Sequence, residues 1–183
     1  MNRVHLLTAA AAFAALAGCS TESMTRSGAT AMSTAPAATA TLEPTRGNTA
    51  AGTVTFQQQG DRVMVIAKVS GLKPNQEHGF HAHEKGDCTS GDGMGTGGHF
   101  NPTGKPHGPP DGEHHGGDMP SLKADASGNA EARFQLTGVT VSSGAPTDLV
   151  GRGVIVHAAP DDYKTQPTGN SGARIACGVI KLG

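Results

Sequence analysis

Alternating apolar and polar positions predict β-strands in the chain from residue 52 onward. The stretch "GTVTFQQQGDRVMVIAKVSGL", residues 52–72, alternates on both sides of a polar turn near Gln59 to Asp61. In its second half, every other residue from Val63 to Val69 is apolar, so these side chains share one face of a strand. The pattern predicts an antiparallel hairpin.

Four further segments carry short strand patterns. They are "EHGFHAHE" (77–84), "SLKADASGNAEARFQL" (121–136), "GRGVIVHAA" (151–159) and "ARIACGVIKL" (173–182). The second of these is read as two strands around an Asp-Ala-Ser-Gly-Asn turn. Short strands separated by turns indicate an all-β sandwich or barrel. Residues 85–120 and 160–172 match no strand, and loops of that length in a compact domain are usually functional.

Composition and charge narrow the class. The chain has 183 residues, 27 of them glycine, no tryptophan and one tyrosine, which disfavours a helical fold and suits one domain with appendages. The formal net charge is -1. Because no run of Lys and Arg provides the positive surface that nucleic acid requires, nucleic-acid binding is excluded.

The N-terminus has the features of an export signal. Arg3 precedes an apolar run, Leu6 to Ala17, that is too short to cross a hydrocarbon layer of ~30 Å. Residues 1–18 are therefore predicted to be a signal peptide. The run ends in "LAGC", typical of a bacterial lipobox, so Cys19 is the predicted lipid anchor. The alternative is an ordinary secretory signal followed by an incidental cysteine, and both interpretations export the chain.

Residues 19–48 are rich in Ser, Thr, Ala and Pro and contain few bulky apolar residues. Such a segment buries too little surface to offset its ordering entropy. It is predicted to be a disordered tether between the membrane and a domain at 49–183. The expected location is the periplasmic side of a bacterial membrane, and Ser20 after Cys19 favours the outer membrane.

Cys88 and Cys177 remain once Cys19 is lipidated. Export places them where disulfides persist, so they are predicted to pair, with two free thiols as the alternative. A bridge across about ninety residues contributes ~4 to 5 kcal/mol in the chain-entropy account, and the contributions found in proteins are often smaller.

Histidines are the main candidates for chemistry, since seven of the nine lie between residues 78 and 115. His81 and His83 are two apart on a strand and share a face, whereas Phe80 and Ala82 point the other way. More candidate ligands follow in the loop and on a later strand: His99, His107, His115, Asp118 and His157.

Imidazoles with one carboxylate suit Zn(II) and Cu(II). The alternative is a His-rich loop that binds metals weakly and adventitiously. Two features favour a built site: His157 lies on an independent strand, and Cys88 can tie the loop to the domain.

Five segments together resemble one family. "GFHAHEKGDC", "GGHFNP", "HGPPDGEHHGGD", "GRGVIVHAAPDD" and "GNSGARIACGVI" are similar in order to copper-zinc superoxide dismutase in its exported bacterial form, from about residue 52 to 182. The resemblance implies an all-β, eight-stranded Greek-key β-barrel or sandwich of immunoglobulin-like kind with two long functional loops. It also implies one copper and one zinc per subunit.

The resemblance assigns roles to individual residues. The implied copper ligands are His81, His83, His99 and His157, and the implied zinc ligands are His99, His107, His115 and Asp118, with His99 bridging the ions. His115 is chosen over His114 because the family places its third zinc histidine three residues before the aspartate. Asp161 resembles the carboxylate that links His81 to His107, and Arg174 matches the active-site arginine that attracts superoxide. Lys85 could add to this field, and no role follows for His78 or His114.

The implied reaction is dismutation of superoxide to dioxygen and hydrogen peroxide at a redox-cycling copper, with His99 delivering a proton and zinc holding the site in shape. The expected benefit is protection of the cell envelope. The alternative is an exported copper- or zinc-binding protein on the same scaffold without turnover. The loop "CTSGDGMGTGG" is long and glycine-rich, as in bacterial forms whose dimer contact differs or is lacking. A homodimer is therefore possible but not implied.

Overall fold

The structure is a computed structural model that describes residue 35 and residues 37–183. The predicted signal peptide, the predicted anchor Cys19 and most of the predicted tether lie outside the described residues. Within the described part, no helix has the length and apolar character needed to cross a bilayer.

The described chain is almost entirely β-structure. Its strands are β1 (Ala37–Pro44), β2 (Ala51–Gln59), β3 (Arg62–Ser70), β4 (Glu77–His78), β5 (Phe80–His83), β6 (Leu122–Lys123), β7 (Ala130–Thr137), β8 (Gly153–His157), β9 (Arg174–Val179) and β10 (Lys181–Leu182). Eight of them form one curled sheet in the order β5-β8-β9-β1-β2-β3-β7, with β10 beside β1, and β4 pairs with β6 separately. The chain passes from β3 to β5 at the far edge and returns to β7, a crossover typical of Greek keys. The predicted all-β class is confirmed.

The predicted hairpin is present as β2 and β3, paired from Ala51↔Ser70 to Gln59↔Arg62. Gly60 turns the chain with φ 62, a left-handed conformation that glycine adopts without a steric penalty. The alternating face predicted for β3 is buried, because Val63 and Val65 are 0% exposed. This face packs into the apolar core of the domain.

The predicted tether extended too far. Its last part forms β1, where Ala38, Ala40 and Leu42 are buried and the residues between them are exposed. β1 pairs with β2 along its length and with β9 at its end. The segment looked disordered because its inward side chains are mostly alanines, which carry little apolar surface. In the sheet, neighbouring strands supply the burial that the sequence composition does not reveal.

The segment "EHGFHAHE" also differs from the single predicted strand. It is divided at Gly79 into β4, which pairs with β6, and β5, which pairs with β8. At the division, the Gly79 N–H donates to Ala159 O at 2.8 Å and Gly79 O accepts from His157 N at 2.8 Å. A Cβ on Gly79 would lie 2.5 Å from Ser171 Oγ, so the close approach requires glycine.

The two segments predicted to be loops contain no named strand and only one short 3₁₀ turn, Met94–Thr96. The first loop is attached to the sheet by the predicted disulfide, Cys88–Cys177, which joins residues 89 apart in sequence with a Cα–Cα distance of 5.8 Å. Cys177 lies in the middle of β9, so the bridge fixes the loop to the edge of the domain that carries the histidines.

Candidate metal centre

Strand β5 presents two histidines to one side. His81 and His83 alternate with Phe80 and Ala82, whose side chains enter the apolar core. His157 is the last residue of the neighbouring strand β8, where the β8–β9 register shifts between Val156 and His157. This irregularity accompanies the approach of the His157 ring to within 5.0 Å of the His81 ring, centroid to centroid.

The outer edge of β5 binds the first loop through the backbone. Ala82 N donates to Gly117 O and Ala82 O accepts from Phe100 N, both at 2.8 Å. His99 and Asp118 lie next to these two loop residues and form bridges with His83 and His81. Gly117 cannot be replaced without displacement, because a Cβ there would overlap Ala82 O. The loop is thus held as an irregular extension of the sheet that brings His99 and Asp118 to the β5 histidines.

The structure brings all seven predicted ligands together in two groups. The ligand atoms of each group lie within 4.8 Å of one another, and every member is buried: His81, His83, His99 and His157 in the first, and His99, His107, His115 and Asp118 in the second. His99 belongs to both groups. Seven buried polar groups at one place require a chemical explanation.

The first group has the donors that copper prefers. In each ring one nitrogen is engaged: His81 Nε2 with Asp161 Oδ2 at 2.6 Å, His83 Nδ1 with Gly97 O at 3.0 Å, and His157 Nδ1 with Gly172 O at 3.1 Å. The opposite nitrogens of these rings, and Nε2 of His99, are buried without a hydrogen-bond partner among the described residues. Since an unpaired buried nitrogen is costly, four that converge fit a nitrogen-bound metal such as Cu(II).

The second group surrounds the Asp118 carboxylate. His99 Nδ1 lies 2.8 Å from Oδ1, His107 Nδ1 lies 2.9 Å from Oδ2, and His115 Nδ1 lies 3.3 Å from Oδ1. The His107 and His115 contacts lack hydrogen-bond geometry. The backbone N–H of His115 donates to Asp118 Oδ2 at 2.9 Å and holds the carboxylate in place. Three imidazole nitrogens and one carboxylate oxygen are a donor set that tetrahedral Zn²⁺ accepts.

Asp161 lies between the two groups. Its Oδ2 contacts His81 Nε2 at 2.6 Å, and its Oδ1 contacts His107 Nε2 at 2.9 Å and accepts from Tyr163 N at 2.7 Å. Gly169, with φ 65, passes so close that a Cβ would overlap Asp161 Oδ1. The carboxylate accepts a ring N–H from each histidine, which leaves the opposite nitrogen, Nδ1, free to bind a metal.

Arg174 begins β9 and is paired with His157 across the β8–β9 ladder. Its partly buried guanidinium donates from Nη1 to Gly93 O at 2.7 Å and to Thr96 Oγ1 at 2.8 Å, and from Nη2 to Gly97 O at 2.7 Å. Burial lowers the pKa of Arg174, yet an arginine stays charged at neutral pH. The positive charge therefore lies beside the first histidine group.

Burial lowers the pKa of all four rings in the first group. The pKa of His99 falls to about 4 and that of His157 to about 3, and the pKa of His83 is lowered as well. The Arg174 charge adds to the lowering at His83 and His157. These rings are neutral at physiological pH, which is the form that binds metals.

The second group behaves differently without an ion. Burial lowers the pKa of His107, but its contacts with Asp118 and Asp161 outweigh burial and raise this pKa to about 9. Burial likewise raises the pKa of both carboxyls, and the surrounding histidines outweigh it and hold each pKa below its usual range. The carboxylates are thus charged and available to a cation.

Three residues without a firm sequence-based role lie outside both groups. His114 is partly exposed and its Nδ1 contacts His115 O at 2.6 Å. His78 is buried and its Nδ1 donates to the backbone O of His157 at 2.8 Å. Lys85 is exposed, and its backbone N–H donates to Thr96 O at 3.0 Å.

Sequence reasoning missed the side chains that support the second loop. The side chain of Gln166 makes two hydrogen bonds to the His107 backbone. Its Oε1 accepts from His107 N at 2.9 Å and its Nε2 donates to His107 O at 2.8 Å. Tyr163 and Ser121 bond each other in the same region. The only signal in the sequence was the strandless stretch 160–172 itself.

Comparisons with known proteins point to one family. The family model described as copper/zinc superoxide dismutase matches residues 50–180. A copper-zinc superoxide dismutase 2 of Brassica juncea is 44% identical over 139 residues, 72% of this chain and 89% of that protein. One from Aquifex aeolicus is 43% identical over 124 residues, 65% of this chain and 72% of that protein.

Solved structures are similar as well. The clock protein EA4 has a TM-score of 0.73 at 38% identity and covers 81% of this chain and 96% of its own. A SOD-like protein from Bacillus subtilis has a TM-score of 0.69 at 34% identity, over 77% of this chain and 96% of its own. The chain belongs to the copper/zinc superoxide dismutase family and is an oxidoreductase whose cofactors are copper and zinc.

Proposed function

We propose that the chain dismutates superoxide at a copper held by the first histidine group and bridged through His99 to a zinc held by the second. The observation that carries this proposal is the set of buried ring nitrogens without a protein partner. Six of the seven such atoms in the described residues belong to the two groups. Each of these six rings can bind a metal through a nitrogen that its protein contacts leave free.

Copper, when bound, supplies one-electron chemistry, since it can accept an electron from one superoxide and give one to the next. The protein residues attract the anion and supply a proton. Arg174 holds a permanent positive charge beside His83 and His157. This charge helps to lower the pKa of both rings. His99 Nε2 has no protein partner among the described residues and is therefore available to hold a proton and deliver it to the reduced product.

The second group has a structural role in this proposal. Asp118 contacts all three of its histidines, and Asp161 connects His107 to His81. The loop carboxylates thereby orient His99 from one side, while strand β5 orients His81 and His83 from the other. A zinc ion would neutralise the buried carboxylate and keep the loop in this arrangement.

The proposal also includes a location. A lipid on Cys19 would hold the enzyme at the periplasmic side of a bacterial membrane, the outer membrane being favoured, where it would protect the envelope from superoxide. The support is the apolar run, the "LAGC" sequence and Ser20. A homodimer is not part of the proposal, because the long first loop resembles that of bacterial forms whose dimer contact differs or is lacking.

Superoxide dismutation by the copper- and zinc-loaded chain tests the proposal, with His157→Ala as the variant and His114→Ala as the matched control outside both groups. We expect activity in the wild type and in His114→Ala. In His157→Ala we expect activity to fall more than about 100-fold, because removing a metal ligand should cost more than removing a residue that only orients a ligand. Tight binding of both metals with no dismutation above a free-copper control would instead favour a metal-binding protein without turnover.

A further inference from the structure

Thr96 is buried in a loop that is otherwise glycine-rich and largely exposed. It ends the 3₁₀ turn Met94–Thr96, and its side chain is 0% exposed whereas Met94 is 60% exposed. Its methyl group faces the start of β8, where a Cβ added to Gly153 would lie 2.8 Å from Thr96 Cγ2. Packing against this glycine fixes the Thr96 rotamer and therefore the direction of its hydroxyl group.

The hydroxyl group has one proton, and that proton has an acceptor. Thr96 Oγ1 donates to Gly93 O at 2.9 Å, which leaves the oxygen lone pairs to accept from Arg174 Nη1 at 2.8 Å. Gly93 O also accepts directly from Nη1 at 2.7 Å. Both N–H groups of Nη1 are thus engaged by the loop.

Counting donors shows what remains for an anion. A guanidinium has five N–H groups, and Gly97 O takes one from Nη2 at 2.7 Å. The Nε–H and the second Nη2–H have no acceptor among the described residues. Two donors on one planar cation can bind a small anion at two points, which a freely rotating guanidinium would do less well.

The same loop also orients a histidine of the first group. Gly97 O accepts from His83 Nδ1 at 3.0 Å as well as from Arg174 Nη2. The guanidinium and the His83 ring therefore share one carbonyl group, and a change in the turn before Gly97 would move both.

We propose that Thr96 is a positioning residue for anion binding. Its hydroxyl group fixes the Arg174 guanidinium so that the Nε–H and the second Nη2–H face the incoming superoxide. This inference rests on the proposed function, in which Arg174 attracts the substrate.

The test compares Thr96→Val, which keeps the methyl packing without the hydroxyl, with Thr96→Ser, which keeps the hydroxyl, and with Arg174→Met. Azide, a small anion like superoxide, serves as the probe of anion affinity in protein matched for copper and zinc content. In Thr96→Val we expect kcat/KM and azide affinity to fall about three- to tenfold, the effect of losing one hydrogen bond. In Thr96→Ser both should stay within about twofold of wild type.

A second readout needs neither metal nor turnover. In the metal-free protein, the ¹⁵N–¹H signals of the Arg174 side chain should show hindered rotation in wild type and Thr96→Ser, and averaging of the Nη1 and Nη2 signals in Thr96→Val. Suppose that Thr96→Val keeps both the azide affinity and the hindered rotation, whereas Arg174→Met clearly loses azide affinity. This result would reject the proposed role of Thr96 and leave the role of Arg174 intact. Unchanged azide affinity in Arg174→Met would reject both this role and the proposed attraction of superoxide by Arg174.

Discussion

The sheet formed by β1, β2, β3 and β7 and the loops around the histidines bury residues of opposite kinds. In the sheet, alternate side chains such as Val54, Phe56 and Val65 are 0% exposed and apolar, so burial itself is favourable. In the histidine region, His81 and His83 of β5 and Asp118 of the first loop are equally buried. Burial of such polar side chains is costly unless every polar atom has a partner. The first region is stable through its own residues, whereas the second needs hydrogen bonds, a disulfide and bound cations.

The connections of the two regions differ accordingly. The β2–β3–β7 ladders are continuous and antiparallel. The loops contain bridges, turns and side-chain contacts to backbone, such as Gln166 to His107. We therefore expect substitutions in the sheet to change the free energy of unfolding with little effect on the metal site, and substitutions in the loops to do the reverse.

The largest expected effect on stability comes from the sheet. Phe56→Ala removes a fully buried ring, and we expect the free energy of unfolding in urea to fall by about 3–5 kcal/mol. Zinc affinity of the molecules that remain folded should not change. The exposed Thr39 on β1 provides the control, since Thr39→Ala should cost about 0.5 kcal/mol or less. Weakened zinc binding in folded Phe56→Ala would contradict the separation of the two regions.

The disulfide connects the two regions and should have the next largest effect. Replacing Cys88 and Cys177 by serine should lower the free energy of unfolding by about 2–4 kcal/mol, because the open chain gains entropy when unfolded. Alkylation followed by mass measurement checks the bridge directly. Labelling of both thiols without reductant would show that the bridge is absent in solution.

Asp161→Asn should affect the metal site and leave the sheet unchanged. The carboxylate orients His81 and His107, so we expect metal affinity to fall about 10- to 100-fold, measured by competition with a chelator. The exposed Asp111 in the first loop offers a matched control, and Asp111→Asn should keep wild-type affinity. Equal losses in both variants would point to a general charge effect.

Acid should destabilise the metal-free protein through its buried histidines. The pKa of His157 is lowered to about 3 and that of His99 to about 4 from 6.5. Between these values and 6.5 the unfolded chain therefore binds protons that the folded chain does not. Stability falls as the pH drops through this window. The pKa of His107 is raised to about 9, so its contribution is full below 6.5 and is lost only as the pH rises toward 9.

Thermal melts of the metal-free protein across this range measure the balance. Because the His107 contribution is already full below pH 6.5 and the lowered rings gain protons there only on unfolding, we expect the melting temperature to decrease from about pH 7 to about pH 4. The copper- and zinc-loaded protein should resist this decrease until protons displace the ions. A melting temperature of the metal-free protein that is constant across the window would contradict the proposed cost of the buried histidines.

The same contrast explains what the sequence could predict. The β2–β3 hairpin has strict alternation and a polar turn, so local pattern was sufficient. β1 was missed because Ala38 and Ala40 carry too little apolar surface to be recognised without the strands beside them. The division of "EHGFHAHE" at Gly79 was missed because β4 and β5 pair with two different strands, β6 and β8, which are both distant in sequence.

Prediction of the site was uneven for the same reason. Spacing indicated that His81 and His83 share a face, and the family resemblance supplied the rest of the groups. The contacts of Thr96 with Arg174 and of Gln166 with His107 could not be predicted. The first contact joins residues 78 apart in sequence and the second joins residues 59 apart. Neither Thr nor Gln as a residue type indicates such a role.

The central claim is that one imidazole, His99, joins a copper site to a zinc site. Crystals of the copper- and zinc-loaded chain, with anomalous diffraction recorded at the absorption edges of both metals, test it most directly. We predict one copper signal on the side of His81, His83 and His157, one zinc signal on the side of Asp118, and the His99 ring between them. Both metals on the same side of His99, or a fully loaded protein in which His99 contacts neither, would contradict the account.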